Sequence, residues 1–112
     1  MKYDLEKFKG IFIAMYSAYD ENGNVDVKRV KNLARHYADK KVKGLYVGGS
    51  SGEGVLQNEE ERKKVLEAVM EEVGNELTII VHVGANSTPE SVRLAQHAEK
   101  MGADAVSSIP AV

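Results

Sequence analysis

The sequence predicts a parallel α/β fold in the order β-α-β-α-β-α-β, on three observations. Short apolar runs begin near Gly10, Gly44, Leu77 and Ala103, at intervals of about 30 residues, the length of one strand-helix unit. The stretches between them carry apolar residues at helical spacing. The third observation is an internal echo: Lys43-Gly44-Leu45-Tyr46-Val47 parallels Met101-Gly102-Ala103-Asp104-Ala105-Val106. Units that repeat in this way favour right-handed crossovers between parallel strands.

The first strand is expected over Gly10 to Tyr16, a continuous apolar run without alternation, as suits a strand covered on both faces. Asp20-Glu21-Asn22-Gly23-Asn24 supplies turn residues that tolerate left-handed backbone. Asp26 is placed to cap a helix running to about Lys41, with Val27, Val30, Leu33, Ala34, Tyr37 and Ala38 on its apolar side. Gly44 to Val47 forms the second strand. Asn58, with Glu61 three residues on, makes a capping box for a second helix whose buried stripe is Val65, Leu66, Val69 and Val73 and whose end is Gly74. Leu77 to Val83 is the third strand. Thr88 and Pro89 mark the cap and first turn of a third helix, with Leu94, Ala95, Ala98 and Met101 facing inward and Gly102 closing it. Ala103 to Ser107 opens a fourth strand.

A chain of 112 residues makes a single domain at most. Apolar residues at 43% and charged residues at 29% are ordinary for a soluble protein. No stretch approaches the roughly 20 apolar residues of a membrane span. The start, Met-Lys-Tyr-Asp-Leu-Glu-Lys, is charged where a secretory signal is apolar, and cysteine is absent, so a cytoplasmic location is expected. Fifteen basic against seventeen acidic residues, no basic block, and only five Tyr and two Phe argue against a nucleic-acid partner. No two of His36, His82 and His97 are four residues apart and no cysteine completes a set, so no metal site is indicated.

The site-like segment is Gly48-Gly49-Ser50-Ser51-Gly52-Glu53-Gly54, at the end of the second strand. Glycines let backbone N–H groups converge on a ligand and the serines add hydroxyl donors, which suits a carboxylate or phosphate. On these residues alone, a tight turn capping the next segment is the commoner use of Ser and Gly. Glu53 could orient such a loop as readily as touch a ligand. His82, near the end of the third strand, reads as a hydrogen-bonded core residue before it reads as a catalyst. Tyr46 reads as inner packing.

Two architectures accept this strand order: a compact doubly wound sheet, or the first half of a (β/α)8 barrel of about 250 residues. Length favours the sheet. Against it, the turn after the first strand lacks a glycine-rich phosphate fingerprint, and the site-like turn follows the second strand, as a barrel with its site spread over several loops allows.

The turn resembles that of the N-acetylneuraminate lyase branch of the pyruvate-dependent class I aldolases, whose motif is Gly-Gly-Ser-Thr-Gly-Glu. Around it the similarity takes in Gly44-Leu45-Tyr46-Val47, Gln57, Glu61-Arg62, His82-Val83-Gly84 with Ser87-Thr88, the entry at Tyr19-Asp20, and Gly102 to Ser107. The doubled glycine before the serines is more like the sialic-acid lyases than the dihydrodipicolinate synthases, which usually show Gly-Thr-Thr-Gly-Glu. Ser17-Ala18 stands where many members carry Thr-Pro, which puts the contacts of the first loop in question.

The resemblance implies the first half of a TIM (β/α)8 barrel, one incomplete domain over residues 1–112. It implies reversible aldol cleavage of N-acetylneuraminate to N-acetylmannosamine and pyruvate through a lysine Schiff base, with no cofactor. It assigns Ser50 and Ser51, with Gly49 and Gly52, to the pyruvate carboxylate, and gives Ser50 a part in proton transfer. The family's Schiff-base lysine and catalytic tyrosine belong to later strands. Lys43 precedes the second strand, and Lys28, Lys31, Lys63, Lys64 and Lys100 fall on helices, so none replaces that lysine. A fragment or half-barrel of a lyase is therefore expected, inactive alone, associating as a homo-oligomer or with the rest of a barrel. The alternatives are a non-catalytic self-associating half-barrel and a small α/β module binding an acidic metabolite at residues 48–54.

Overall fold

The structure is a computed structural model that describes residues 5–109; the start and end of the chain on which the N-terminal charge reading and the last strand's run-out rest lie partly outside them. Four strands, β1 (Phe12–Ala14), β2 (Gly44–Val47), β3 (Thr78–His82) and β4 (Ala105–Ser107), alternate with three helices, α1 (Val27–Asp39), α2 (Glu59–Val73) and α3 (Thr88–Met101). The sheet order is β1-β2-β3-β4 and every neighbouring pair is parallel. This order decides between the two architectures. A doubly wound sheet reverses direction at a switch point and lays later strands on the far side of β1, whereas a barrel adds each strand beside its predecessor, as here.

Alternation along the strands separates two faces. Leu45, Val47, Ile79 and Val81 are buried together with Val30 and Ala34 of α1, Val65, Leu66, Val69 and Val73 of α2, and Leu94 and Ala98 of α3. This helix-side layer is the hydrophobic core. On the opposite face the register lines up Ala14, Tyr46, Ile80 and Ala105, which are exposed or half-buried. The strands are thus covered fully on one side only. Tyr46 lies on this inner face, and its hydroxyl stands 3.0 Å from Ser107 Oγ.

The N-terminal ends of the strands are closed from below. A short 3-10 turn over Leu5–Phe8 brings the Lys7 carbonyl to accept from Thr78 Oγ1 at 3.0 Å and its ammonium to Asp104 at 3.0 Å. The other Asp104 oxygen accepts from the Ile79 N–H at 2.8 Å. Gly44 is required where it stands, because a Cβ there would overlap the Thr78 carbonyl and meet the Phe12 ring.

Local sequence explains most element boundaries. The capping box is present: Asn58 Oδ1 accepts from Glu61 N–H at 2.8 Å and Glu61 Oε1 from Asn58 N–H at 3.0 Å, an arrangement that typically contributes about 1 kcal/mol. Asp26 caps α1 through the Arg29 N–H. Three expectations shift. The cap of α3 is Ser87, not Thr88, because a cap oxygen must reach the N–H three residues on, here Glu90 at 3.3 Å. Helix α1 stops at Asp39, since Lys41 adopts a left-handed φ of 60°. The outer strands are shorter than the apolar runs: Ile11 and Tyr16 flank β1 in the open, and the Ala103 N–H bonds back to Ala98 before β4 begins. Ion pairs tie the helices, Arg35 of α1 to Glu72 and Glu76, and Arg93 of α3 to Glu59 of α2. Hydrogen bonds from Arg93 and then Lys63 hold the Glu59 carboxyl at about 2.

Candidate active site

All the loops that follow strands meet at the C-terminal edge of the sheet, where barrel sites form. After Val47 the chain turns through Gly48, at φ 76°, into the glycine and serine segment, with Glu53 at φ 60° leading into a 3-10 turn over Gly54–Leu56. The segment is wound on itself: Glu53 N–H donates to the Ser50 carbonyl and Gly54 N–H to the Gly49 carbonyl, both at 3.1 Å. Its glycines are dictated by packing. A Cβ on Gly49 would stand 2.5 Å from the Tyr46 ring, one on Gly52 2.9 Å from the Met15 carbonyl, and one on Gly54 would overlap the Gly48 carbonyl. Gly48, Gly49, Gly52 and Gly54 are buried, while Ser50 and Ser51 are exposed.

Two polar clusters pin this turn. From the β1 side, Ser17 Oγ donates to the Gly52 carbonyl at 2.7 Å, and Gln57 Nε2 donates to Ser17 Oγ at 2.9 Å and Tyr19 OH at 2.8 Å. From the β3 side, the buried guanidinium of Arg62 donates to the carbonyls of Gly84 and His82, both at 2.8 Å. His82 is buried, with Nδ1 3.1 Å from the Gly48 carbonyl and Nε2 accepting from Ile109 N–H at 3.2 Å. It is the hydrogen-bonded core residue expected from its place on the strand. Burial lowers its pKa, the Gly48 contact opposes the shift and the Arg62 charge adds to it.

Ser50, Ser51, Gly49 and Gly52 therefore share one turn at the C-terminal end of β2. Glu53 contributes its left-handed backbone to the turn, with no side-chain cap. Neither Ser17 nor the linking role of Gln57 has a local sequence signal; Gln57 stands only among the positions similar to the family. Arg62 is legible in principle. It lies three, four and seven residues before Val65, Leu66 and Val69, so it continues their buried stripe.

Among the described residues, the lysines lie on the helices, in the N-terminal turn or before β2, and none stands at the C-terminal ends of the strands. Lys9, Lys40, Lys41 and Lys43 instead line an open cleft of about 720 Å³ at the N-terminal end. Barrel chemistry uses the other end of the strands. Among the described residues no three His, Cys, Asp or Glu converge as a metal site, and no helix is long and apolar enough to cross a membrane.

A parallel arc of strand-helix units, grown in one direction and carrying the glycine and serine turn at its C-terminal edge, has the architecture of part of a (β/α)8 barrel. Residues 7–111 match the Dihydrodipicolinate synthetase family, and the chain belongs to it. It is 47% identical over 109 residues to the N-acetylneuraminate lyase of Mediterraneibacter gnavus, covering 97% of this chain and 35% of that one. A solved structure of a catalytic lysine mutant of Ruminococcus gnavus sialic acid aldolase superposes with a TM-score of 0.95 at 47% identity, covering 97% of this chain and 36% of that one. Dihydrodipicolinate synthase from Aquifex aeolicus superposes at 0.82 with 30% identity, over 88% of this chain and 33% of that one. The sequence thus stands nearer this sialic acid aldolase than this synthase, as the doubled glycine predicts. The chain spans about a third of the length of the curated relatives it matches.

Proposed function

We propose that this chain supplies the carboxylate-gripping side of a pyruvate-dependent aldolase site of the N-acetylneuraminate lyase kind, as part of an incomplete barrel. The observation that carries the reading is the exposure of Ser50 and Ser51 side by side at the end of β2, in a turn whose other residues are pinned by packing and hydrogen bonds. Two hydroxyls and the neighbouring N–H groups suit a carboxylate, whose fixed position then orients the adjacent keto carbon. In the reaction, a lysine amine condenses with that carbon and releases water. The resulting iminium takes up the electron pair of the carbon–carbon bond as N-acetylmannosamine departs, and protonation and hydrolysis free pyruvate. Similarity to an aldolase whose mutant is described as lacking its catalytic lysine supports a lysine in this role. Ser50 is the candidate for passing a proton, and a cytoplasmic setting fits the absence of cysteine.

The test follows amide signals of the 112-residue chain during titration with pyruvate. Shifts are expected at Gly49 to Gly52 and should vanish in a Ser50→Ala, Ser51→Ala double variant. Borohydride with pyruvate should leave the mass unchanged, because the lysines among the described residues sit away from this turn. Shifts confined to the lysine-lined cleft, or a trapped adduct, would overturn the assignment. Equal binding of acetate and pyruvate would favour the module that takes any acidic metabolite.

Association is the second part of the reading. Among the described residues β1 and β4 each have one neighbour only, and Val106 beside α3 is 51% exposed. An open strand edge next to apolar surface invites pairing. The 112-residue chain is expected to sediment as a dimer or larger species; a stable monomer that unfolds cooperatively would count against it.

A further inference from the structure

We propose that His82, held as the neutral Nδ1–H tautomer, is a positioning residue that sets the orientation of the Gly48–Gly49 peptide, and with it the serine turn, by clamping that turn to the segment after β4. The inference rests on the carboxylate reading and deepens it.

Donor and acceptor chemistry fixes the tautomer. The Gly48 carbonyl can only accept, so the Nδ1 that lies 3.1 Å from it carries the hydrogen. The Ile109 N–H can only donate, so the Nε2 that lies 3.2 Å from it keeps its lone pair. Only the neutral Nδ1–H ring satisfies both. Arg62 Nη2 donates one of its two hydrogens to the His82 carbonyl at 2.8 Å; with Nδ1 protonated, the 3.3 Å approach of Nη2 to it is not a hydrogen bond, and the guanidinium charge opposes a second proton on the ring.

Gly84 supplies an independent observation. A Cβ there would come within 2.7 Å of His82 Nε2 and 3.0 Å of both the Ile109 carbonyl and Ser108 Oγ, so the missing side chain is what lets the clamp close. At the other end, a trans peptide points its N–H opposite to its carbonyl. With the Gly48 carbonyl turned to the imidazole, the Gly49 N–H faces away from it, and Ser50 follows.

A proton on Nε2 removes the acceptor for Ile109. The charged and titratable groups around the ring are Arg62 of α2, with Glu90 of α3 acting on it, and His97 of α3, which lines the same cavity and pairs with Glu67. Because folding lowers the His82 pKa, its contribution to stability is whole above the ordinary histidine value of about 6.5 and declines as pH falls below it towards the lowered value.

The test uses the 15N-labelled 112-residue chain. At pH 7.5 the ring nitrogens should report protonated Nδ1 and bare Nε2. On acidification the amides of Gly49, Ser50 and Ile109 should shift along one curve with its midpoint below about 6.5. An Nε2–H ring, or Gly49 and Ser50 signals that ignore the titration, would overturn the proposal. Two variants add a second readout. His82→Ala should weaken pyruvate binding about tenfold, the effect of one lost hydrogen bond. His82→Asn, which keeps an amide donor near the Nδ1 position, should recover it to within about threefold. Asn as weak as Ala would leave only a space-filling role and sink the idea. The ring and amide measurements need no ligand, so a chain that fails to bind pyruvate would overturn the function while leaving the clamp to be judged separately.

Discussion

Replacing Gly54 by alanine should disorder the serine turn, abolish the response to pyruvate proposed for it and lower stability by about 2–4 kcal/mol. The added methyl group would overlap the carbonyl oxygen of Gly48, which is backbone and cannot step aside as a flexible side chain would. That carbonyl is also the acceptor for His82, so displacing it breaks a buried hydrogen bond as well. Gly23 is the natural control. It lies in an open turn where a methyl group would meet nothing within 4 Å, although its φ of 80° makes alanine there mildly strained. Urea unfolding of the two variants separates them: a Gly54→Ala protein that matches Gly23→Ala in stability, with its serine amides unmoved, would show that the turn tolerates what the packing forbids.

Arg62→Leu should have a comparable effect by a different route. The guanidinium is 7% exposed and bridges two carbonyls at the end of β3. Leucine fills part of the volume but leaves the His82 and Gly84 carbonyls without their donor, at about 1–3 kcal/mol for each buried group left unpaired. Among the described residues no carboxylate forms an ion pair with Arg62. Burial is the larger influence and lowers its pKa, with Glu90 acting weakly the other way. Its value to the fold is therefore geometric, and Arg62→Lys should rescue little, because an ammonium cannot span both carbonyls from one planar fork. Thermal or urea unfolding with lysine and leucine in parallel decides it, and full recovery in the lysine variant would mean that charge alone matters.

The strand-helix alternation and the serine turn can be read from the chain because both are written locally. Helical spacing, the Asn58 and Glu61 box, and a run of glycines around two serines each act over a few residues. The pins behind the turn cannot be read in the same way. Ser17 meets Gln57 40 residues away, and His82 meets Gly48 and Arg62 34 and 20 residues away, and these meetings depend on which strand ends are neighbours. Strand order is a property of packing, so local pattern leaves barrel and doubly wound sheet both open. Arg62 is the instructive intermediate: its spacing puts it on the buried helix face, yet its charge suggests the surface. The Thr88 expectation fails by one residue because Ser87 and Thr88 are both good caps, and only the reach to Glu90 separates them.

The strand order also has a temporal side. Each strand lies against the one made just before it, so no strand of this sheet must wait for a distant strand, and only the Leu5–Phe8 turn waits for Thr78 and Asp104. Synthesis proceeds at about 5–20 residues per second, whereas helices form in about a microsecond or less. As each new unit leaves the ribosome, the edge that receives it is already in place, and the sheet can grow in the direction of translation.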